Sequence, residues 1–104
     1  MAQIARWTTP VVIYKPSAVN ADVISEIYMV IMTNEGRPII SKDISDATVS
    51  DGAFTWNLSQ EETSKLVLGS TVKIKIDYKC LNGMRYTTNA RQYTVADSAV
   101  NKEI

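Results

Sequence analysis

The sequence feature that most constrains the fold is a stretch of strict alternation over residues 71–80, which reads T-V-K-I-K-I-D-Y-K-C. Its even-numbered positions are apolar, and its odd-numbered positions carry Thr, Lys or Asp. A period of two over this length is typical of a strand with one buried face and one solvated face. The pair Asn82-Gly83 follows, and this pair is a strong hairpin signal. The pattern therefore predicts an antiparallel β protein.

The length of the hairpin loop can be inferred from the residues on either side of it. A two-residue loop at Asn82-Gly83 would place polar side chains opposite the isoleucines of the buried face. A three-residue loop over residues 81–83, with a bulge and a positive φ angle at Gly83, avoids this. Because a slip of one residue reverses the facing of every side chain, we predict the bulged loop. Its predicted cross-strand pairs are Tyr78 with Tyr86, Ile76 with Thr88 and Ile74 with Ala90.

Further strands are predicted from runs of β-branched and aromatic residues. Residues 11–14, V-V-I-Y, lie between Pro10 and Pro16, and the two prolines favour a strand at the edge of a sheet. Residues 23–32 have isoleucines at helical spacing, but their β-branched content favours a strand. The other predicted segments are strands over residues 37–42, 53–58 and 85–95, a three-residue loop at 34–36 and a turn-rich connection over 43–52.

Residues 59–62, S-Q-E-E, match a capping box. In this motif the Ser59 hydroxyl accepts from the Glu62 backbone N–H, and the Glu62 carboxylate accepts from the Ser59 N–H. A short helix is predicted from Gln60 to about Val67. The complete pattern predicts an all-β fold: an antiparallel, immunoglobulin-like β-sandwich of about seven strands with one short helical turn near residues 60–67. Residues 1–104 are expected to form a single domain.

Composition excludes several classes of function. Lysine plus arginine number 11 and aspartate plus glutamate number 11, so the formal net charge is zero. A dedicated nucleic-acid binder usually has a basic excess, so nucleic acid is not expected as a partner. Histidine is absent and Cys80 is the one cysteine, so an intrachain disulfide and a standard zinc site are excluded.

The sequence motifs that resemble catalytic or metal-binding signatures have simpler interpretations. Ser70 and Lys73 match S-x-x-K, but positions three apart on a strand point to opposite faces. The aspartates over residues 43–51 do not have EF-hand spacing, and turn aspartates usually make Asx turns. Adjacent Glu61 and Glu62 suit the first turn of a helix. We therefore predict no enzyme activity, no catalytic, cofactor-binding or metal-binding residues, and no cofactor.

Two surfaces leave alternatives open. A basic stripe on the outward face of the hairpin is interpreted as a solvated face that deters edge pairing, and the alternative is a surface that binds nucleic acid or an acidic partner. Its members are Lys73, Lys75, Lys79, Arg85 and Arg91. Trp7, Trp56 and Tyr78 would form a sugar-binding platform if exposed, but Trp56 alternates with Phe54 and Leu58, which favours core packing.

Residues 23–32 are apolar on both faces of the predicted strand. A strand in a small two-layer sandwich needs only one buried face. The second apolar face is therefore expected to be covered by another subunit or by a terminal segment of the chain. The residues of this second face, which we predict as a possible interface, are Ile24, Tyr28, Val30 and Met32.

The first seven residues, M-A-Q-I-A-R-W, lack the apolar stretch of a signal peptide. The longest apolar run, residues 27–32, is far shorter than the ~20 residues that span a bilayer. We expect a protein made in a cytoplasm, with no membrane partner.

The order of these signals resembles a known family. The strings that carry the resemblance are R-W-T-T-P at 6–10, S-K-D-I at 41–44, D-G-A-F-T-W at 51–56, L-S-Q-E-E-T at 58–63 and G-M-R-Y-T-T-N at 83–89, before Val95. Together they resemble small β-sandwich proteins encoded by tailed phages and prophages of gut bacteria. The resemblance covers about residues 6–100, and its most specific part is residues 58–63.

This resemblance implies a structural protein of the virion, in the tail or tail fibre, the baseplate or the head–tail region, without an active site. Its expected partners are other virion proteins and further copies of itself. Its expected location is the bacterial cytoplasm on synthesis and then the virion. The alternative from a different class is a β-sandwich binding module that recognises cell-surface carbohydrate.

Overall fold

The computed structural model describes residues 2–104, which form two β-sheets packed face to face. Its nine strands are β1 Ala2–Ala5, β2 Val11–Tyr14, β3 Ile24–Thr33, β4 Pro38–Lys42, β5 Thr48–Ser50, β6 Ala53–Asn57, β7 Thr71–Cys80, β8 Arg85–Thr87 and β9 Arg91–Ala96. The larger sheet has the order β1-β9-β7-β3-β4, with β8 also paired to β7, and the smaller sheet has the order β2-β6-β5. The predicted all-β sandwich is confirmed. It has nine strands rather than about seven.

The strict alternation of β7 places this strand at the centre of the core. Its even-numbered side chains, from Val72 to Cys80, are all buried. They meet Ile27, Met29 and Ile31 of β3 on the same face of the larger sheet. From the smaller sheet, the fully buried Phe54 and Trp56 close the core. The Trp56 indole N–H donates to the Asp43 carbonyl at 3.0 Å, so its polar edge is satisfied as burial requires.

The hairpin after β7 has the predicted three-residue loop. Gly83 has a φ of 87°, and the Cys80 N–H donates to the Met84 carbonyl at 2.9 Å across the loop. Tyr78 pairs with Tyr86 as predicted. No atom lies within 4 Å of a Cβ built on Gly83, so the positive φ alone requires glycine here.

The register changes after β8, and this corrects the predicted pairing of Ile74 with Ala90. Ile74 lies opposite Arg91 instead, because one extra residue is accommodated between β8 and β9. At this point the Thr88 hydroxyl accepts from the Ile76 N–H at 3.1 Å and Thr88 donates its own N–H to the Ile76 carbonyl. The predicted continuous strand over 85–95 is thus two strands. Arg91 shares the inner face with Ile74, and its predicted place in the outward basic stripe is wrong.

A second irregularity corrects the position of Ile24. The register of β3 against β7 shifts between Ile24 and Glu26, and the Ser25 hydroxyl donates to the Lys79 carbonyl at 3.1 Å. The extra residue turns Ile24 to the inner face opposite Cys80, where it is only 6 % exposed. Ile24 therefore belongs to the core and not to the predicted interface.

The short helix α1, Gln60–Ser64, begins with the predicted capping box. The Ser59 hydroxyl accepts from the Glu62 N–H at 3.1 Å, and a Glu62 carboxylate oxygen accepts from the Ser59 N–H at 2.9 Å. The helix ends at Ser64, short of the predicted Val67, because Leu66 turns into the core. Two further 3-10 turns are Ala21–Val23 and Ile44–Asp46.

The strand β1 has no counterpart among the strands predicted from the sequence. It lies parallel to β9 at one edge of the larger sheet, and Ile4 is buried there opposite Val95. The connection onward is held by the fully buried Thr63, whose hydroxyl donates to the Thr8 carbonyl at 2.9 Å and accepts from the Thr8 N–H at 3.1 Å. Residues 2–5 therefore extend the larger sheet.

Replacing Ser59 by alanine is expected to cost about 0.5–2 kcal/mol of unfolding free energy, because it removes the cap that orients α1 and its buried Thr63. Urea denaturation followed by circular dichroism measures this directly. The matched control is Ser17→Ala, since Ser17 is exposed and makes no side-chain hydrogen bond among residues 2–104. An unchanged denaturation midpoint for Ser59→Ala would mean that the capping box does not stabilise the fold.

Candidate functional site

The candidate site is the face of the larger sheet that points away from the smaller sheet, which we call the outer face. Tyr28, Val30 and Met32 of β3 lie on it, since their neighbours Ile27, Met29 and Ile31 point into the core. Tyr28 is 44 % exposed, and Val30 and Met32 are half-buried. This side of β3 is therefore an apolar stripe in the middle of a sheet face.

The neighbouring strands border the stripe with polar side chains at fixed register. Tyr28 lies opposite Asp77 and Val30 opposite Lys75 on β7, and Val30 also lies opposite Ser41 on β4. The surface between them forms a shallow depression of about 830 Å³. Its lining residues are Tyr28, Val30, Met32, Ser41, Lys75, Asp77, Arg85, Tyr86 and Thr87.

Asp77 is the centre of the polar border. The Thr87 hydroxyl donates a short hydrogen bond to one carboxylate oxygen, and Arg85 donates to the other at 3.1 Å. The hydrogen bond from Thr87 and the guanidinium of Arg85 hold the pKa of Asp77 below its ordinary value, although partial burial opposes them. The three side chains come from one hairpin, so its register determines their contact.

The aromatic ring of Tyr28 is held by its own strand. Its hydroxyl donates to the Glu26 carboxylate at 2.8 Å, two residues earlier on the same face. This hydrogen bond raises the pKa of Tyr28 above its ordinary value. The fixed hydroxyl keeps the ring on the outer face beside Asp77. The apolar ring of Tyr28 therefore lies next to the Asp77 carboxylate, which is paired with Arg85.

The structure brings together three of the four predicted interface residues, Tyr28, Val30 and Met32, and separates Ile24 from them. Asp77 and Thr87 also lie on this surface and were not among the predicted interface residues. Their position could have been predicted from the alternation of residues 71–80 and the hairpin register, which together place both side chains on the solvated face.

The predicted core packing of Trp56 is confirmed. Trp56 and Tyr78 are both buried in the core, so they do not form an exposed sugar-binding platform with Trp7. The other four members of the basic stripe lie on the outward side of the β7–β8 hairpin, but Arg85 is paired with Asp77 at 3.1 Å. The stripe is therefore partly neutralised.

Within residues 2–104, no three or more histidine, cysteine, aspartate or glutamate side chains are grouped to hold a metal ion. No helix in this described part of the chain has the length and apolar character needed to cross a membrane. Comparison with protein-family models, curated proteins and solved structures found no match in any of the three. The site must therefore be interpreted from its own geometry.

Replacing Asp77 by asparagine is expected to lower stability at neutral pH and to change its acid dependence. A carboxylate whose folded-state pKa is depressed stabilises the fold above its ordinary pKa, and this contribution is lost as the pH falls through the folded-state pKa. The difference in urea midpoint between wild type and Asp77→Asn should therefore be larger at pH 7 than at pH 3.

The matched control is Glu35→Gln, because Glu35 is an exposed loop residue without a hydrogen bond or ion pair among residues 2–104. This variant should follow the wild-type pH dependence. If the Asp77→Asn difference were the same at both pH values, the charge of Asp77 would have no part in holding the hairpin.

Proposed function

We propose that this protein is a non-enzymatic structural component of a phage or prophage virion, in the tail, the baseplate or the head–tail region. It acts through protein–protein contacts made by the outer face. The observation that carries the proposal is the apolar stripe of Tyr28, Val30 and Met32, which lies on the solvent side of a sheet whose other side already forms the core.

The stripe suits contact with another protein subunit. A continuous apolar surface bordered by polar side chains is the usual arrangement of a protein interface. Lys75 and the Asp77–Arg85 pair lie beside it and provide both signs of charge for orientation. The formal net charge of zero offers little long-range repulsion against further copies of the chain.

The assignment to a virion is supported by the sequence resemblance to β-sandwich proteins of tailed phages and prophages. The all-β sandwich agrees with the fold that this resemblance implies. In this proposal the chain is made in the bacterial cytoplasm and then joins the particle, where its partners are other virion proteins and further copies of itself. Mass spectrometry of purified particles from a bacterium carrying the gene tests this assignment.

A charge placed at Val30 is expected to disrupt assembly through the outer face while the fold survives. Val30→Lys puts a like charge opposite Lys75, and Val30→Glu puts an opposite charge there. Val30→Glu should therefore destabilise the sheet less than Val30→Lys. Light scattering at increasing concentration should show oligomers for the wild type and monomers for both variants. Circular dichroism checks that the sheet is retained.

The matched control is Val67→Lys, since Val67 is an exposed apolar residue outside the outer face. It should leave the oligomers unchanged. A wild type that stays monomeric at high concentration and also fails to bind virion proteins would contradict the proposal. If both Val30 variants unfolded, the stripe would be part of the core and not an interface.

Recognition of cell-surface carbohydrate is a second candidate function. The observation that favours it is the position of the exposed Tyr28 ring in one depression with polar Asp77, Arg85 and Thr87. Sugars combine an apolar ring face with hydroxyl groups, so aromatic rings beside fixed polar groups suit them. Titration calorimetry with bacterial surface oligosaccharides should show binding that Tyr28→Ala abolishes and Val67→Ala does not. Failure of every oligosaccharide to bind would exclude this function.

A further inference from the structure

The strand β2 lies at the edge of the smaller sheet with one side unpaired. Among the strands of residues 2–104, it pairs with β6 alone. The Leu58 N–H donates to the Pro10 carbonyl at 3.0 Å, and the register continues through Val12 opposite Trp56. Because hydrogen-bonded and non-hydrogen-bonded pairs alternate in an antiparallel ladder, Val12 and Tyr14 bond to β6. Val11 and Ile13 therefore direct their N–H and C=O groups to the free side.

A groove runs along this free side, between β2 and the inner face of the larger sheet. Its volume is about 540 Å³. The isoleucines Ile74 and Ile76 of β7 lie in it, with Thr88, Asn89, Arg91 and Tyr93 beyond them and residues 11–15 along β2. An unpaired strand edge beside an apolar groove is the arrangement used for strand addition by an extended peptide.

The groove carries positive charge without a partner. Lys15 and Arg91 are the charged residues among those that line it. No carboxylate within residues 2–104 forms an ion pair with either one, since the ion pairs of this part of the chain involve Arg6, Lys42 and Arg85. Arg91 lies on this inner side because of the extra residue between β8 and β9. The groove is thus complementary to an acidic side chain.

We infer that the free edge of β2 binds an extended segment of a partner protein by strand addition. The segment pairs its main chain with Val11 and Ile13, places apolar side chains over Ile74 and Ile76, and sets a carboxylate beside Arg91. Because β2 spans Val11–Tyr14 alone, the pairing is limited to a few residues. This surface is separate from the outer face, so the inference stands or falls independently of the proposed function.

The charge argues for a different protein and against a second copy of β2. The segment V-V-I-Y-K contains no acid, and a second copy would bring another Lys15 to a groove that already holds two cations. Like charges at an interface oppose association. A partner segment with an aspartate or glutamate meets the same groove with opposite charge.

The test uses capped six-residue peptides that alternate valine and threonine and carry one glutamate, which is moved through each position. Each peptide is titrated to millimolar concentration against the 15N-labelled protein and followed by NMR. We expect the amides of Val11 and Ile13 to shift and the Ile13 N–H to exchange more slowly with solvent. A matched peptide with glutamine in place of glutamate should bind about two- to fivefold more weakly.

Two variants separate the main-chain pairing from the charge. Ile13→Pro removes one N–H of the free side and leaves the bonds of Val12 and Tyr14 to β6, so binding should weaken about tenfold. Ile13→Ala keeps the N–H and is its control. Arg91→Gln should make the glutamate and glutamine peptides bind equally, which identifies Arg91 as the partner of the carboxylate. If Ile13→Pro does not fold, peptides with N-methyl groups on alternate residues test the same pairing from the ligand.

Three outcomes would overturn the inference. One is that no peptide of the set shifts the amides of residues 11–15. Another is that Ile13→Pro, or N-methylation of the peptide, leaves binding unchanged. The third is that sedimentation shows a wild-type dimer which Ile13→Pro dissociates, because a second copy would then occupy the edge. Val30→Glu should bind the peptides as the wild type does, since Val30 lies on the other face of the larger sheet.

Discussion

The rest of the structure depends on β7, a strand that is paired along both edges and buried on one face. On one edge it runs antiparallel to β3 over nearly its full length, and on the other it pairs with β9 and β8 in turn. Its inward side chains form one side of the core, and Phe54 and Trp56 of the smaller sheet pack against them. Because register and burial are coupled in such a strand, a slip of one residue would expose the whole apolar set. The hairpin loop at Gly83 and the core thus reinforce each other.

Two single-residue irregularities determine which side chains reach each surface. The bulge at Ser25 turns Ile24 into the core, and the outer face is left with Tyr28, Val30 and Met32. The extra residue between β8 and β9 turns Arg91 toward the groove beside β2. Without these irregularities Ile24 would widen the apolar stripe, and the groove would lose a cation. Small departures from regular pairing therefore decide the chemistry of both candidate surfaces.

The two surfaces rely on different interactions. The outer face offers side chains, an apolar stripe bordered by the Asp77–Arg85–Thr87 cluster, to a partner of complementary shape. The edge of β2 offers main-chain donors and acceptors, which in the inferred strand addition pair with an extended segment, and the cationic groove would then favour a segment that carries an acidic side chain. In the proposed function and the inferred strand addition, the domain would make these two contacts at once. A building block of a larger assembly needs such contacts, because each copy has more than one neighbour.

The sequence by itself determined the all-β class, the central strand, the three-residue loop with Gly83 and the capping box at Ser59 and Glu62. Each of these depends on neighbours within a few positions, so local periodicity and turn chemistry carry the signal. It did not determine β1, whose pairing with β9 joins opposite ends of the chain, or the inward positions of Ile24 and Arg91. The tertiary structure decided these, because a bulge or a parallel edge strand is stabilised by contacts distant in sequence. The groove beside β2 has the same origin, since its two walls come from different sheets.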